Sequence, residues 1–510
     1  MNILPVTDIR ETDLYTIKNE PISDIDLMER AALTCFRWIE QHTDPSKSIK
    51  VFCGTGNNGG DGLAIAIMLR SKHYDVEFYM TGPLENLSPG CRVNYDRIYN
   101  PLSPIPYLLS PILEEDKPLP IINKSDIVID AIFGSGLTRP VTGFPATLVN
   151  HINQSGALVI SIDVPSGFSC DRSNFTVKQP MVVHADYTLT FSPPKLGLFF
   201  PENDSFVGDW QLLDIGLSKE FIASREVKNF MIEKEDCRKI LKRRNKFSHK
   251  GNFGHSLLIC GSSGKMGAAV LAAGACQRSG AGLVTVRSPQ CGVEILQTTV
   301  PEAMVSPDPG NMMITVLPDL SPYSSIAIGP GIGREPQTAD ALKLLIQQAT
   351  IPLIFDADAI NLLSENKTWL GFIPLGSVFT PHPKEFERIA GRSSNDFERN
   401  YLQREFSRKH QCFVVLKGSH TAITTPDGRC YFNTTGNAGM ATGGSGDVLT
   451  GIIAGIMAQG YQPLESCLLG VYIHGMAGDL ALSEVGYEAL IASDIIKYLG
   501  KSFQTLYGKL

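Results

Sequence analysis

Long apolar runs and an excess of positive charge are both missing from this chain of 510 residues. No stretch approaches the roughly 18 consecutive apolar residues that can span a bilayer, and the first ten residues lack the apolar segment of a secretory signal. The net charge is -7, which gives no general affinity for nucleic acid or for an anionic membrane. The sequence therefore predicts a cytoplasmic protein whose partners are neither nucleic acids nor membranes.

Cysteine pairs of the Cys-x-x-Cys kind are missing as well. The chain has 11 cysteines, an odd count, and none has the spacing of a zinc site. Several of them, such as Cys53, Cys260 and Cys276, lie inside apolar stretches. These features predict buried, reduced thiols rather than disulfides or zinc ligands.

The pattern of apolar segments predicts an α/β fold in two domains. A single core stops growing beyond roughly 250–300 residues, so this length favours two domains. Continuous apolar runs alternate with helical patterns, as in parallel sheets that are covered on both faces. Strands are predicted in the first half at 48–53, 76–80, 127–133, 157–162, 187–191 and 209–217. Strands are predicted in the second half at 256–260, 283–286, 325–328, 353–355, 377–380 and 413–416.

A polar, charged stretch that begins at residue 218 separates the two patterns. We predict a first domain over residues 1–217, a linker over 218–225 and a second domain over 226–510. The first domain has the pattern of a Rossmann-like, doubly wound sheet. The basic residues at 242–244 are interpreted as part of a solvated junction between the domains.

The strongest motif of the first half is the loop GTGNNGGDG at residues 54–62. It follows a predicted strand and opens a predicted helix, so its glycines permit close approach to a ligand and its free amides favour an anionic group. It is not the dinucleotide fingerprint G-x-G-x-x-G. The alternative is a plain glycine-rich turn in which Asp61 caps the helix. The candidate substrate-binding residues here are Asn57, Asn58, Gly59, Gly60 and Asp61.

Two further loops follow neighbouring predicted strands. Asp130 lies near the end of one strand, and Asp163 begins the segment DVPSG after the next. Ligands of open α/β sheets bind beyond the carboxyl ends of the strands, so the three loops are expected to converge on one site. Taken singly, Asp130 is equally consistent with a strand-end cap, and DVPSG with a simple turn. The loop after Asp130 adds the candidates Gly134, Ser135, Gly136, Leu137, Thr138, Arg139 and Pro140.

The strongest motif of the second half is NAGMATGGSGD at 437–447, which precedes a predicted helix at 448–456. Glycine amides at a helix start can stabilise a transferring phosphoryl group, and Asp447 can accept a proton from the attacking hydroxyl. The alternative is a flexible loop in which Asp447 is a favourable first-turn acid. The segment GSSGKM at 261–266 is not a Walker A motif, because its glycines are too close together and a methionine follows its lysine.

Three shorter loops end other predicted strands of the second half. A lysine and backbone amides after one strand suit nucleotide phosphates, although a plain turn is equally consistent with them. Two prolines fix the loop around His382, whose alternative is a purely structural role, and Gly331 lies in a close-approach loop. The nucleotide-binding candidates are Lys417, Gly418, Ser419, His420 and Thr421.

The order of motifs in residues 1–217 resembles the NAD(P)H-hydrate epimerase family. The matching segments are NNGGDG, the loop with GSGLTRP, DVPSG and the KLG at 195–197. The resemblance implies that NADH or NADPH hydrated at C6 of the nicotinamide ring is interconverted between its R and S forms. It implies a potassium ion held by Asn58, Asp130 and Ser166, since a hard cation prefers oxygen ligands. It also implies that Asp163 contacts the substrate and that Asp130 is the acid/base candidate.

The second half, from about residue 226 to residue 505, resembles the ADP/ATP-dependent NAD(P)H-hydrate dehydratase family, which has a ribokinase-like fold. GPGIG, the PHP-x-E loop, KGSHT and GGSGD appear in the order of that family. The resemblance implies phosphorylation of the C6 hydroxyl by ADP or ATP with Mg²⁺, followed by loss of phosphate. It places the nucleotide on residues 417–421 and Gly446, and makes Asp447 the base. The implied contacts with the hydrated cofactor are Ala268, Gly331, His382 and Asp447.

Two other functions stay open on the sequence alone. The second half has the chemistry of a kinase that phosphorylates a small hydroxylated metabolite and releases a stable phosphoester. The first half has the alternative of a non-catalytic binding module for protein or RNA. For every reading, the resemblance favours a homo-oligomer.

Overall fold

The computed structural model describes residues 1–98, 112–113, 115, 117–176 and 179–508. The chain divides into two compact units. The N-terminal unit comprises residues 2–227 and 395–397, and the C-terminal unit comprises residue 1, residues 228–394 and residues 398–510.

A six-stranded parallel sheet with the order β2-β1-β3-β4-β5-β6 forms the centre of the N-terminal unit. Its strands are short and apolar, and alternate residues enter two cores on opposite faces. In β1, Val51 and Cys53 pack into one core, and Phe52 packs into the other. The strands are β1 Ile49–Cys53, β2 Val76–Met80, β3 Ile127–Ala131, β4 Leu158–Ile162, β5 Tyr187–Phe191 and β6 Asp209–Leu213.

The helices of the N-terminal unit begin at recognisable sequence signals. Ser23 and Asp26 form a capping box at the start of the second helix, which satisfies amide groups that a helix end leaves unpaired. The third helix begins at Asn57, directly after Gly56, so the NNGG segment forms its first turn. The helices are α1 Val6–Asn19, α2 Asp24–His42, α3 Asn57–Ser71, α4 Pro89–Ile98, α5 Phe144–Ser155, α6 Asp204–Val207 and α7 Lys219–Ser224.

A ten-stranded sheet with the order β10-β9-β8-β11-β12-β13-β14-β15-β16-β7 forms the centre of the C-terminal unit. Its strands are parallel except where β15 runs antiparallel to β14 and to β16. The first five strands are β7 Asn229–Met231, β8 His255–Ile259, β9 Leu283–Ser288, β10 Met304–Pro307 and β11 Ser325–Ile328. The others are β12 Leu353–Phe355, β13 Val378–Phe379, β14 Phe413–Leu416, β15 Ala422–Thr424 and β16 Cys430–Phe432.

The helices of the C-terminal unit surround one almost fully buried helix, α15. From Val448 to Ala458 every residue of α15 is buried, and its apolar side chains join the largest core of this unit. The first five helices are α8 Lys234–Ile240, α9 Met266–Arg278, α10 Val293–Thr299, α11 Pro336–Gln348 and α12 Ala357–Glu365. The others are α13 Pro383–Ala390, α14 Asp396–His410, α15 Ser445–Ala458, α16 Pro463–Val485 and α17 Ala492–Tyr507.

The predicted α/β class is confirmed in both units. Five predicted strands have the bounds found for β2, β5, β11, β12 and β14. The strand predicted at 209–217 ends earlier, at Leu213, and residues 214–217 are not part of the sheet. The structure adds β7, β10, β15 and β16 to the predicted set.

Residues 218–225, predicted as a linker, belong to the N-terminal unit. Most of them form α7, which packs on α1. The amide of Ser218 donates to Oγ1 of Thr16 at 3.0 Å, and the rings of Phe221 and Tyr15 stack at 4.4 Å. The structural division of the chain falls after this segment.

The basic residues 242–244 are exposed to solvent, as expected, but they lie within the C-terminal unit and not at the junction between the units. Nζ of Lys242 donates to the carbonyl of Gly460 at 2.9 Å. The guanidinium of Arg244 lies over the ring of Phe253, 3.8 Å from its centroid. These basic side chains therefore take part in tertiary contacts.

The expectation about cysteine is confirmed. All 11 cysteines are free thiols, and each is buried except the partly exposed Cys291. Within the parts of the chain that the structure describes, no helix has both the length and the apolar character needed to cross a membrane.

Candidate active sites

The strand order of the N-terminal sheet creates a crevice beyond the carboxyl ends of β1 and β3. The chain runs from β1 to β2 on one side and to β3 on the other, so the order reverses at β1. Open α/β sheets bind ligands at such a point. A cavity of about 530 Å³ lies there, lined by the loops after β1, β3 and β4 and by residues of α1 and α2. Its volume is in the range of small-molecule sites.

The cavity brings together most of the predicted substrate-binding residues, but not all. Gly59 and Gly60 do not line it, and serve packing instead: a Cβ at Gly59 would lie 1.9 Å from the carbonyl oxygen of Gly54. Thr138, Arg139 and Pro140 are exposed outside it. The predicted residues that line the cavity are Asn57, Asn58, Asp61, Gly134, Ser135, Gly136, Leu137 and Asp163.

Asp163 is an ionised carboxylate at the wall of this cavity. Its Oδ1 lies 2.8 Å from Nζ of Lys195, and its Oδ2 accepts from the amide of Ser135 at 2.8 Å. Burial raises the pKa of Asp163, but Lys195 and the Ser135 amide outweigh it and hold the pKa below its usual value. The φ of Asp163 is 66°, a strained conformation for a residue with a side chain, and such strain is common at functional sites.

Asp130 does not line the cavity, which argues against its predicted role as the acid or base. It is fully buried and its carboxylate accepts hydrogen bonds from neighbouring residues. Oγ of Ser161 and the amide of Ser166 both donate to Oδ2 at 2.8 Å, and Oγ of Ser166 donates to Oδ1. Burial raises the pKa of Asp130 in spite of these bonds. Its geometry is that of a group that holds the loop after β4 against β3.

The side chain of Asn58 has unsatisfied hydrogen-bonding groups that a bound ligand could satisfy. It is 9% exposed, and neither its amide nitrogen nor its amide oxygen has a hydrogen-bond partner among the described residues. A buried amide without partners is costly. Asn58 lies beside the loop after β3, because a Cβ at Gly134 would lie 3.3 Å from Cγ of Asn58. Ser166 contacts the same loop, since its Oγ accepts a hydrogen bond from the amide of Phe133. The oxygen atoms of this region fit a hard cation.

Two more carboxyl groups face the same cavity. Asp61 is 8% exposed, and burial, followed by the charge of Asp163, raises the pKa of Asp61 well above its usual value. Asp13 of α1 lines the cavity as well, and no motif marked it in the sequence. The N-terminal site therefore combines an ionised carboxylate with carboxyl groups that favour the protonated form.

The start of α15 forms the candidate site of the C-terminal unit. Gly444 adopts φ 91°, a left-handed conformation that suits glycine, and turns the chain into the helix. The amide of Ser445 donates to the carbonyl of Thr442 at 3.4 Å, and the next two amides, of Gly446 and Asp447, are at positions that have no partner within a helix. The predicted helix start is therefore present, with Asp447 in its first turn.

Asp447 lies among charged groups from three strand ends. Burial, followed by the charge of Asp356, raises the pKa of Asp447 to about 7, and Lys417 opposes this rise. Asp356 is buried at the end of β12, where its oxygens accept from Nζ of Lys417 at 3.0 Å and from Oγ1 of Thr450 at 2.8 Å. The sequence analysis missed Asp356, whose segment FDADA carries no glycine loop.

The predicted nucleotide loop separates into a charged residue and an exposed turn. Lys417 reaches the helix start, because a Cβ at Gly446 would lie 3.1 Å from its Nζ. Gly418 and Ser419 are exposed. Thr421 is buried and its Oγ1 donates to the carbonyl of Gly418 at 3.1 Å, while Nδ1 of His420 lies 3.2 Å from the carbonyl oxygen of Asn433.

The residues predicted to contact the hydrated cofactor fall into two groups. Ala268 and Gly331 are neighbours, because a Cβ at Gly331 would lie 3.2 Å from that of Ala268. His382 caps α13, and its Nδ1 accepts from the amide of Lys384 at 3.1 Å. Burial lowers the pKa of His382, and Lys417 acts in the same direction while Glu385 opposes it. His382 is therefore a structural cap that also lies within the electrostatic reach of the site.

His474 of α16 was not marked by any motif and supports the start of α15. Its Nε2 lies 3.1 Å from the carbonyl oxygen of Ser445, so Nε2 carries the proton in this contact. Burial lowers the pKa of His474 to about 4, which keeps the ring neutral at neutral pH. A histidine within a helix gives no signal in the sequence that would distinguish this role.

The two units, each with loops for anionic ligands at the carboxyl ends of parallel strands, define a two-domain α/β enzyme. Two family models match the chain: one described as YjeF-related protein N-terminus at residues 24–197, and one described as NAD(P)H-hydrate dehydratase at residues 256–501.

The full chain also matches proteins named bifunctional NAD(P)H-hydrate repair enzyme. The one from Moorella thermoacetica is 35% identical and covers 98% of this chain and 96% of its own. The one from Coxiella burnetii is 34% identical and covers 96% of this chain and 97% of its own. A crystal structure of the ADP/ATP-dependent NAD(P)H-hydrate dehydratase from Bacillus subtilis, co-crystallized with ATP/Mg²⁺, is 31% identical over 54% of this chain and 97% of its own, with a TM-score of 0.48. The chain belongs to the family of bifunctional NAD(P)H-hydrate repair enzymes.

Proposed function

We propose that this protein repairs hydrated nicotinamide cofactors in two reactions. The N-terminal unit interconverts the R and S forms of NADH or NADPH hydrated at C6, and the C-terminal unit dehydrates the S form at the expense of ADP or ATP. The observation that carries the proposal is the 35% identity to a bifunctional repair enzyme over 98% of this chain, because it spans both units. The cavity beside β1 and the charged start of α15 supply the chemistry that each reaction needs.

The epimerisation inverts one carbon and requires two proton transfers, at the oxygen and at the nitrogen bonded to that carbon. C6 of the hydrated ring carries a hydroxyl group and is bonded to the ring nitrogen N1, so it inverts when the C6–N1 bond opens and closes on the other face. The hydroxyl must lose a proton and N1 must gain one as the bond opens. Asp163 suits the first transfer, because Lys195 keeps it ionised at the cavity wall. This role replaces the acid/base role that the sequence favoured for Asp130.

The dehydration begins with phosphorylation of the C6 hydroxyl. Asp447 takes the hydroxyl proton as the oxygen attacks the terminal phosphoryl group of the nucleotide, and the amides at the start of α15 stabilise the developing charge. The C6–O bond then breaks, phosphate leaves, and loss of a proton from C5 restores the ring double bond. Lys417 and Gly446 lie beside Asp447, where they contact the nucleotide phosphates. Residues 418–421 hold the rest of the nucleotide.

Two metal ions belong to this proposal. Potassium at the N-terminal site would be held by Asn58, Asp130 and Ser166 and would keep the loops after β1 and β4 in place; the buried amide of Asn58, which has no hydrogen-bond partner among the described residues, supports it. Mg²⁺ would enter with the nucleotide, bound mainly through its phosphates. When bound, it neutralises phosphate charge.

The domain limits and the setting of the protein are also proposals. We place the epimerase in residues 1–217, the linker at 218–225 and the dehydratase in 226–510, although α7 packs on α1 within the N-terminal unit. We propose a cytoplasmic homo-oligomer that has small-molecule substrates and no nucleic acid or membrane partner.

The test is recovery of reduced cofactor from a mixture of the two hydrate epimers. The full chain is incubated with the mixture and with ADP or ATP in turn, and the absorbance of the reduced nicotinamide is followed. We expect complete recovery of both epimers with at least one nucleotide. Phosphorylation of another alcohol without any return of absorbance would instead establish the kinase, and recovery of the S form alone would establish a non-catalytic N-terminal unit.

A further inference from the structure

The first helix of the chain contributes a wall to the N-terminal cavity. Ile9, Arg10 and Asp13 of α1 line it, and their spacing of three to four residues places them on one helix face. The matched N-terminal family model begins only at residue 24, so α1 lies outside it. The side chains of this helix are therefore the unassigned part of the site.

Several contacts hold α1 in place over the cavity. The guanidinium of Arg225 pairs with Oδ1 of Asp8 at 3.2 Å and with Oε2 of Glu11 at 2.9 Å. A terminal nitrogen of Arg10 donates to the carbonyl of Gly136 at 2.8 Å, which joins α1 to the loop after β3. Asp13 therefore faces the cavity from an anchored element.

Burial and the surrounding charges bring the pKa of Asp13 close to neutral pH. Burial, followed by the charge of Asp163, raises the pKa of Asp13 to about 7; Lys195 opposes this rise and Asp24 adds to it. The titratable and charged groups that face it are Asp24 of α2, Asp61 of α3, Asp163, Lys195 and, on its own helix, Arg10.

The pKa of Asp13 is raised and the pKa of Asp163 is lowered, a difference that suits one residue to be an acid and the other a base. Two carboxyl groups in one cavity with pKa values pushed in opposite directions identify an acid and a base. Asp61 is less suited to exchange protons, because it is 8% exposed and burial, followed by the charge of Asp163, raises its pKa well above its usual value. Asn58 lines the same cavity, and its buried amide has no hydrogen-bond partner in the part of the chain that the structure describes, which independently indicates that a ligand belongs there.

We propose that Asp13 is a catalytic residue of the epimerase, the acid that exchanges a proton with N1 of the hydrated ring opposite Asp163. As the C6–N1 bond opens, Asp163 accepts the hydroxyl proton, C6 becomes an aldehyde carbon, and Asp13 gives its proton to N1. After rotation, the C6–N1 bond re-forms on the other face, N1 returns its proton to Asp13, and Asp163 returns its proton to oxygen. Both residues end as they began, and no co-reactant is consumed. The inference rests on the proposed epimerase function.

The test is the variant Asp13→Asn in the full chain, with Lys18→Gln on the same helix as the control, because Lys18 is exposed and does not line the cavity. Epimerisation is measured as exchange between the R and S forms, and dehydration of pure S form with nucleotide serves as the internal control. We expect Asp13→Asn to lower the epimerisation kcat by about 100-fold or more without changing dehydration. Lys18→Gln should keep both rates.

The pH profile separates proton transfer from a structural role. In the wild type, epimerisation should fall as the pH rises above about 7, because the acid form of Asp13 is lost; Asp13→Glu should keep a fall of this kind. Epimerisation by Asp13→Asn within threefold of the wild type overturns the inference. If that variant does not fold, a wild-type profile that is flat between pH 6 and 8 overturns it equally. A wild type that does not epimerise at all contradicts the proposed function instead.

Discussion

Two aspartates show how burial and neighbouring charge divide catalytic roles between residues of the same type. Asp163 is buried beside Lys195, and this lysine keeps its pKa low. Asp447 is buried beside Asp356, and its pKa rises to about 7 although Lys417 is near. The difference follows from distance and sign of charge, since an opposite charge in contact favours ionisation and a like charge disfavours it. One aspartate is therefore always ionised near neutral pH, and the other titrates there.

Removing Lys195 tests the ion pair at the N-terminal site. Lys195 is 1% exposed at its side chain, so Lys195→Met leaves the charge of Asp163 buried and unpaired, which should cost about 3 kcal/mol of stability. We expect urea unfolding to report this loss and epimerisation to fall sharply. The double variant Asp163→Asn with Lys195→Met should recover stability but not epimerisation. Stability of the double variant below that of Lys195→Met would contradict the pairing.

The pH dependence of dehydration tests the tuning of Asp447. The base form is lost as the pH falls through about 7, the pKa of Asp447, so kcat/KM for dehydration should fall about tenfold per pH unit well below it. Asp356→Asn removes a like charge and leaves Lys417 unpaired, and both changes lower the pKa of Asp447. The acid limb should therefore move to lower pH in this variant. The exposed Asp340→Asn is the control, and an unmoved limb in Asp356→Asn argues against the electrostatic role.

The loop after β1 can pack against the loop after β3 only because Gly54 has no side chain. A Cβ at Gly54 would lie 1.9 Å from the carbonyl oxygen of Ile132, which belongs to the loop after β3. The two loops that form the cavity thus touch through their backbones. Their close approach sets the width of the crevice at the point where the strand order reverses.

Gly54→Ala should separate these loops. We expect a loss of stability of about 1–3 kcal/mol, as is usual for overpacking, together with loss of most epimerisation. Gly56→Ala is the control for stability, because among the described residues other than its chain neighbours no heavy atom lies within 4 Å of the added Cβ. Thermal unfolding of both variants and their epimerisation rates provide the measurement, and a stable Gly54→Ala protein would exclude the close contact.

The elements that the sequence missed are those with weak apolar signals. β15 and β16 have three residues each and β10 is half-exposed, so their patterns are too short to distinguish from loops. The glycine loops were predictable from the sequence for two reasons. Only glycine allows two backbone segments to approach closely, and the first amides of a helix have no partner within it. Asp13 and Asp356 were not predictable, because an isolated aspartate acquires its role only from charges that are distant in the chain. The hydrogen bonds of Asp130 to Ser161 and Ser166 were not predictable for the same reason, because they are a property of the fold.

At the scale of the whole molecule, each candidate site is built within one unit. The cavity beside β1 is lined by residues of the N-terminal unit, and the groups around Asp447 belong to the C-terminal unit. Neither set borrows a residue from the other unit. The two reactions should therefore be separable.

Mixing two inactivated chains tests this separation. Asp163→Asn should lack epimerisation and Asp447→Asn should lack dehydration, so neither alone should recover reduced cofactor from the R form beyond the rate without protein. An equimolar mixture should recover it, because the epimer released by one chain can diffuse to the other. Absorbance at the reduced nicotinamide band is the readout. Failure of the mixture, with both single activities intact, would mean that the intermediate passes directly between units.

The distribution of thiols has a practical consequence. Ten buried cysteines leave Cys291 as the partly exposed one, directly before α10 in the C-terminal unit. A maleimide dye added to the folded protein should therefore attach at a single place, with no engineered cysteine and no removal of native ones. Mass spectrometry of the alkylated chain would then reveal any unfolding as additional labels.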